Sequence, residues 1–426
     1  MAYFALLLYT AILFIRPQEW VGFMKGWPIL DFVVGFAILA WLGHLLRREW
    51  SVKDAPQNWL MLGLFVAVIM SHVRHTYMAA TIESFQSFGK VVLIYFLMVS
   101  VLTTKKRIKG MIAVIVIGCL FMSLHGILQA HTGLGFGGAK PLIREDMVRV
   151  RAMGIFHDPN DLSLMLVSVM PFLVSVFLNR ESAVPARALC GAALIPMLYC
   201  VYLTNSRGGW LALAVTAGVY AYMRLPYKKL GMALGVLALP AVVVLGPSRV
   251  ETIGSQDGSI EGRVAAWGYG NYMLKQWPIF GAGKGRFTEF SDDGRVAHNS
   301  FVHCYAELGL FGYFFWIGLI MASLWDGYTL SKAEFEDEEN QDLSRLGEAG
   351  VAGLIGFLAA AFFLSRTYII PLYLLFALMA ALRSVADKEE QKLPERLTRA
   401  KTKYVAAAEL TSIPAFYVMV RILNLI

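Results

Sequence analysis

Apolar runs close to the ~20 residues that a helix needs to cross hydrocarbon recur along the chain, separated by short polar connections. They cover residues 2–15, 27–46, 59–73, 83–103, 110–129, 161–178, 188–204, 209–223, 230–246, 309–330, 348–365 and 369–385. The first and third are shorter than the rest. In lipid a spanning segment must satisfy its own backbone hydrogen bonds, so such runs predict helices. The pattern predicts an all-α integral membrane protein of about twelve transmembrane helices. Two polar stretches interrupt it. One, 130–160, lies within the first nine helices (1–246); the other, 247–308, is the longest polar insert and precedes the helices of 309–385. A tail follows at 386–426. The charged segment 383–403 predicts a helix outside the bilayer. The last residues are apolar but broken by Glu409, Pro414 and Arg421, the pattern of a helix lying at the membrane interface.

Composition agrees with this reading and removes some alternatives. Of the 426 residues, 57% are hydrophobic and only 16% charged, and mean hydropathy is +0.58. A soluble chain of this length carries more charge. The net charge of +8 could point to nucleic acid, but the Lys and Arg fall mainly on alternate connections. With the N-terminus in the cytoplasm, short inner loops hold 14 of them and short outer loops 5. That bias predicts cytoplasmic N- and C-termini and two outward-facing polar stretches, and it leaves no need for a nucleic-acid partner. The four cysteines show no CxxC spacing, so neither a disulfide framework nor a cysteine metal site is expected. The first twenty residues lack a charged n-region and a small-residue cleavage site, which predicts a retained helix instead of a signal peptide.

Candidate chemistry collects in the two outward stretches and at one helix end. The first stretch brings Arg144, Arg149 and Arg151, then His157, Asp158 and Asn160. The second holds Arg263, Lys284, Arg286, Arg295 and His298. The ordinary alternative for these cations is pairing with the acids of the same insert or simple solvation. Arg207 stands apart, between two apolar runs in TNSRGGW with no acid nearby in sequence. A guanidinium there costs a few kcal/mol unless it meets an anion. A lipid phosphate suits it, because the planar fork donates two parallel hydrogen bonds. A snorkelling arginine is the competing reading.

His298, just before a span, could accept a proton near neutral pH, although a lone histidine is more often structural. His303, five residues on, and the His72/His75 pair both make weak metal pairs. GAGKGR at 281–286 is no Walker loop and reads as a turn-rich, flexible connector. The segment 264–277 reads as an amphipathic helix at the interface.

Three elements in this order resemble the O-antigen ligase and O-antigen polymerase superfamily of bacterial envelope glycosyltransferases. They are RAMGIFHDPNDLS opening a span, the TNSRGGWLAL junction, and an insert running EGRVAAW, WPIFGAGKGRF and AHNSFVHCYAELGLFGYFFW. The opening FIRPQEW is similar to the exosortase-associated O-glycosylation ligase branch. The resemblance implies a GT-C-like fold and transfer of a finished glycan from undecaprenyl diphosphate at the periplasmic face of the inner membrane. In the ligase branch the acceptor is lipid A–core. It also implies an inverting reaction with no metal and no cofactor. Residue by residue, it implies that Arg207 and Arg263 hold the diphosphate, with Arg151, Asn160, Lys284 and Arg286 as further candidates, and that His298 is the base. A diphosphate is a good leaving group, so such chemistry needs cations and a base more than a strong acid.

Three rivals stay open on the sequence. A polymerase would use the same donor with a second lipid-linked unit as acceptor. A protein O-oligosaccharyltransferase would transfer to Ser or Thr. A transporter would make no bond, but it would concentrate ionisable residues within spans, where only Asp31, Glu83 and Lys90 stand out.

Overall fold

The computed structural model describes residues 1–46, 55–144, 147–224, 260–335, 337, 340–389, 393–397 and 401–423. It is an all-helical integral membrane protein; the described residues contain one small sheet, an antiparallel hairpin of β1 (Leu142–Arg144) and β2 (Met147–Arg149). Eleven expected spans coincide with helices: α1 (Ala2–Ile15), α3 (Ile29–Leu46), α4 (Pro56–Val73), α5 (Met78–Val101), α6 (Lys105–Thr132), α7 (Pro159–Phe177), α8 (Val184–Leu203), α9 (Arg207–Arg224), α11 (Ser300–Ser331), α12 (Gln341–Ala361) and α13 (Ile370–Glu389). The short α2 (Pro17–Trp20) follows α1, α10 (Ile260–Gln276) lies in the long insert, and α14 (Thr402–Leu423) ends the described chain. The expected span 230–246, Arg249 and the start of the insert lie outside the described residues. Among the described residues, nine helices are long and apolar enough to cross a membrane.

α12 is the central helix. Its glycines recur every third residue, at 347, 350, 353 and 356. A side chain on Gly347 would meet the Gly327 carbonyl of α11, one on Gly353 the Ser168 carbonyl of α7, and one on Gly356 the Thr216 side chain of α9. Small residues allow this close backbone approach, which replaces the hydrophobic drive that lipid does not supply. α12 stops at Ala361, earlier than the expected 365, because 362–369 turn away as a loop. The central helix thereby delivers that loop to one end of the bundle.

α11 begins inside what the sequence shows as the polar insert and is broken at Gly309 (φ 64°, ψ −168°). The break leaves backbone groups that the insert fills: Leu310 and Phe311 donate to Pro278 and Ile279 carbonyls at 2.8 and 3.0 Å. Ala282 and Gly283 donate to the carbonyls of Ala306 and Glu307 at 2.9 and 3.0 Å. Only glycine fits at Gly281 and Gly309, where positive φ coincides with backbone of the facing segment. The connector is therefore docked on α11, where a flexible one was expected.

At the opposite end of α11 a buried polar cluster fixes the connection into α14. Asp326, fully buried, accepts from Gln57 at 2.8 Å and faces Arg396 at 3.7 Å. Arg383 donates to Asp387 and Thr329 at 2.7 and 2.6 Å. Residues 393–397 form no helix, so the charged segment 383–403 is helical only in part. α14 then runs as a single helix of 22 residues packed along α11.

Candidate active site

The expected functional segments meet at the end of the bundle where α12 gives way to loop 362–369. The first outward stretch is tied to the TNSRGGW junction. Val150 donates its N–H to the Leu203 carbonyl at 3.3 Å, Asn205 its side-chain amide to the Val148 carbonyl at 3.0 Å, and Arg149 its Nε to the Thr204 carbonyl at 3.0 Å. Asn160 Oδ1 accepts from Arg149 Nη2 at 3.0 Å and from Ser206 Oγ at 2.8 Å. Ser206 Oγ also accepts the Gly209 N–H at 3.0 Å, capping α9. Arg207 is the first residue of that helix and is exposed. The backbone there opens a helix, and the N–H groups and dipole at a helix N-terminus favour an anion.

Loop 362–369 joins this junction to the second insert. Gly208 faces Phe363: a side chain at 208 would meet the Phe363 Cβ at 4.0 Å. Arg263, on α10, places its guanidinium carbon 5.7 Å from the Phe363 ring centre. Arg366 pairs with Asp161 at the start of α7 through both carboxylate oxygens, Nη2 to Oδ2 at 2.9 Å. Burial works against the Arg366 charge, yet the hydrogen-bonded Asp161 more than offsets it and holds the guanidinium above its ordinary pKa. Asp161 is accessible to this pairing because Asp158 caps α7 through the Asn160 N–H at 2.7 Å and Pro159 occupies its first turn.

His298 precedes α11 with a left-handed backbone, φ 48°. Its N–H donates to Ser365 Oγ at 2.9 Å. Asn299 follows as the α11 cap, accepting from the N–H groups of Phe301 and Val302 at 2.9 and 3.1 Å. Trp267 of α10 donates to the Ala297 carbonyl at 3.0 Å and packs on Phe362. So α10, which the sequence shows as an amphipathic helix, braces the approach to His298 from the side that carries Arg263.

His303, His72 and His75 have structural partners. His303 sits 3.1 Å from Thr367 Oγ1 through Nδ1 and 3.2 Å from the fully buried Glu307 through Nε2. Glu307 in turn accepts the Phe287 N–H at 3.0 Å, so this pair secures the glycine-rich connector. His72 hydrogen-bonds Ser84 at 2.9 Å and His75 the Gly281 carbonyl at 3.0 Å, which anchors the same connector to α4.

The remaining candidate cations divide. Lys284 sits 5.5 Å from the Tyr368 ring centre and 3.3 Å from Ser87 Oγ. Burial pushes its ammonium pKa down, with Glu307 and Glu83 opposing. Arg286 is used locally: Nε donates to Glu289 at 2.8 Å and the guanidinium stacks 3.5 Å from the Tyr77 ring centre. Hydrogen bonding to Glu289 raises its pKa. Arg151 donates through Nε to the Lys140 carbonyl at 3.2 Å and through its backbone N–H to Gln129 at 3.0 Å.

Two contributors escape sequence reading. Phe363, Ser365, Arg366 and Thr367 lie partly within an expected span, and Arg366 counts there only as one outer-loop charge. The structural role of the N-terminal RPQEW, seen in the sequence only as a family likeness, is the other. Glu19 pairs with Arg16 at 3.2 Å and accepts the Gly154 N–H at 2.9 Å, so this motif buttresses the loop that leads into Asp158 and Asn160.

Fold and site together define a multi-pass, all-helical membrane protein whose two candidate-bearing polar stretches are gathered at one end of the bundle. Residues 192–317 match the family model described as O-antigen ligase, and this supports membership of the O-antigen ligase and polymerase superfamily. That match supports a glycosyltransferase-like ligase or polymerase activity. Residues 1–202 match a family of unknown function, which includes RPQEW and its Gly154 contact. No curated protein matches the chain.

Proposed function

We propose that the chain is an O-antigen ligase, moving a glycan from undecaprenyl diphosphate to the lipid A–core of lipopolysaccharide at the periplasmic face of the bacterial inner membrane. The observation that carries this reading is one shared loop. Phe363 stands between Gly208, beside Arg207, and Arg263, while Ser365, two residues on, holds the backbone of His298. It is supported by the match of residues 192–317 to the O-antigen ligase family, since Arg207, Arg263 and His298 all lie within that segment.

In this reading Arg207 and Arg263 hold the diphosphate and stabilise the charge that builds on it as it leaves. Lys284 adds a third cation, Asn160 orients the Arg207 junction through Ser206, and Arg151 and Arg286 act at the margin. His298 takes the proton of the acceptor hydroxyl. The acceptor oxygen bonds to sugar C1 from the face opposite the diphosphate, the C1–O bond breaks, and undecaprenyl diphosphate departs with the electron pair. The configuration at C1 inverts. Each proton and charge has a protein group assigned to it, so the scheme calls on no cofactor.

The test is an acceptor assay. Purified protein is given undecaprenyl-diphosphate glycan with lipid A–core, an exported protein, or a second donor molecule. Sugar on lipid A–core is the expected result. Sugar on the second donor would make the chain a polymerase, and sugar on Ser or Thr of the protein an oligosaccharyltransferase.

A further inference from the structure

We propose that Ser365 and the Arg366–Asp161 pair are the positioning residues of the site, setting the direction of the His298 imidazole without touching substrate. This deepens the reading in which His298 is the base. A non-glycine residue at φ 48° is held in a sparsely populated conformation, which persists only where its surroundings determine it. Here they do. The His298 N–H donates to Ser365 Oγ at 2.9 Å, and two residues on, Ser300 Oγ donates to the Leu364 carbonyl at 2.6 Å. Ser300 Oγ accepts the Arg366 N–H at 2.8 Å, and Thr367 Oγ1 donates to the Ser300 carbonyl at 2.9 Å. Residues 298–300 and 364–367 are thus stitched together on both sides of the left-handed turn.

The loop itself needs an anchor, since it lies beyond the end of α12. The fork of Arg366 on Asp161 supplies it from α7, and a two-point contact fixes rotation as well as distance. Because a small misplacement of a catalytic group costs a large part of its rate, the chain Asp161–Arg366–Ser365–His298 should govern turnover more than substrate affinity.

The experiment measures transfer, donor affinity and the rate at which diethyl pyrocarbonate modifies His298, mapped by mass spectrometry with the exposed His131 as internal standard. Ser365→Ala should lower kcat roughly tenfold or more with donor KM unchanged, and should change the modification rate of His298 but not of His131. Ser365→Thr, which keeps the hydroxyl, should restore both. Arg366→Lys, which keeps the charge and loses the fork, should show the same kcat effect more weakly. Normal kcat and normal His298 modification in Ser365→Ala would overturn the inference. The modification readout needs no transfer, so failure of the functional reading is a separate result, given by normal transfer in His298→Ala.

A different observation carries a second inference: the geometry points to α14 as a membrane span that ends on the same face as His298. Its partners on α11 run in reverse order. Lys401 stands over Trp325, Ser412 hydrogen-bonds Tyr313 at 3.1 Å, and Phe416 packs on Phe301 and Tyr305. The 22 residues measure about 33 Å, enough for the ~30 Å of hydrocarbon. An interfacial helix turns a polar face to water. The outward face of α14 between 407 and 418 is Ala407, Leu410, Thr411, Pro414, Ala415 and Val418, without a charge, whereas Glu409 is buried against the bundle. Lys and Arg crowd the start of the helix at 396, 399, 401 and 403 against Arg421 alone in its last turn, which orients it outward from the cytoplasm.

Cysteine labelling in sealed vesicles of one orientation, on a Cys190→Ser background, tests this with a membrane-impermeant maleimide. A cysteine in a short polar tag after Ile426 should react from the same side as Val296→Cys, and Lys403→Cys from the other. Labelling of the tag and Lys403→Cys from one side would overturn it.

Discussion

Arg263 holds its guanidinium carbon 5.7 Å from the centre of the Phe363 ring. The same phenylalanine faces Gly208, one residue from Arg207, so it lies between the backbone of that junction and the Arg263 guanidinium. A cation over a ring at this depth contributes about 1 kcal/mol. Phe363→Ala should therefore raise the donor Kd roughly fivefold, while Phe363→Trp retains affinity; equilibrium binding of the donor checks both.

Removing either arginine should cost more than removing the ring between them. A hydrogen bond to a charged group contributes about 2 kcal/mol, so Arg207→Ala or Arg263→Ala should weaken donor binding roughly thirtyfold. The lysine replacements should recover only part of this, since an ammonium cannot reproduce the two parallel bonds of the guanidinium fork. Titration of each variant with labelled donor measures the effect.

On this proposal Lys284 should give the site a pH dependence. Burial lowers its pKa, so the ammonium loses its proton earlier than an exposed lysine as pH rises. If its charge helps hold the donor, kcat/KM should fall on the alkaline side as that proton is lost. Lys284→Arg should move the alkaline limb to higher pH, because a guanidinium stays charged. A pH profile of kcat/KM for both proteins decides it; identical alkaline limbs would remove Lys284 from the site.

Gly309 should be intolerant for reasons of backbone alone. At φ 64° with the Ile279 carbonyl against it, a methyl group meets both strain and a clash. Gly309→Ala should destabilise the protein by about 2 kcal/mol or more, seen as a lower Tm in detergent, with the insert no longer docked on α11.

Much of this architecture was legible in the sequence, because a helix that must satisfy its backbone in lipid announces itself as an apolar run. The run 369–385 became α13, and 264–276 is helical as expected, with Val264 and Trp267 buried but Tyr272 exposed. The arrangement of the site was only half legible. Arg207 stands out as a cation between two apolar runs, whereas Arg263 and His298 are singled out only through the family resemblance. Phe363 and Ser365 do not stand out, since FFLS continues an apolar stretch and composition cannot distinguish a site loop from the end of a span. Asp161 and Arg366 are 205 positions apart, and nothing local signals their pairing. Nor could spacing show that His303 turns to Thr367 and Glu307 while His298 hangs from Ser365. Glu409, Pro414 and Arg421 give α14 the sequence of an interfacial helix, and composition does not show that Glu409 is buried against the bundle.

The most direct measurement compares donor binding and transfer in His298→Ala. If the imidazole is the base and the arginines are the binding groups, donor Kd should stay within about twofold of the unmodified protein while transfer falls roughly a hundredfold or more. Transfer at an undiminished rate, with the donor still bound, would contradict the account.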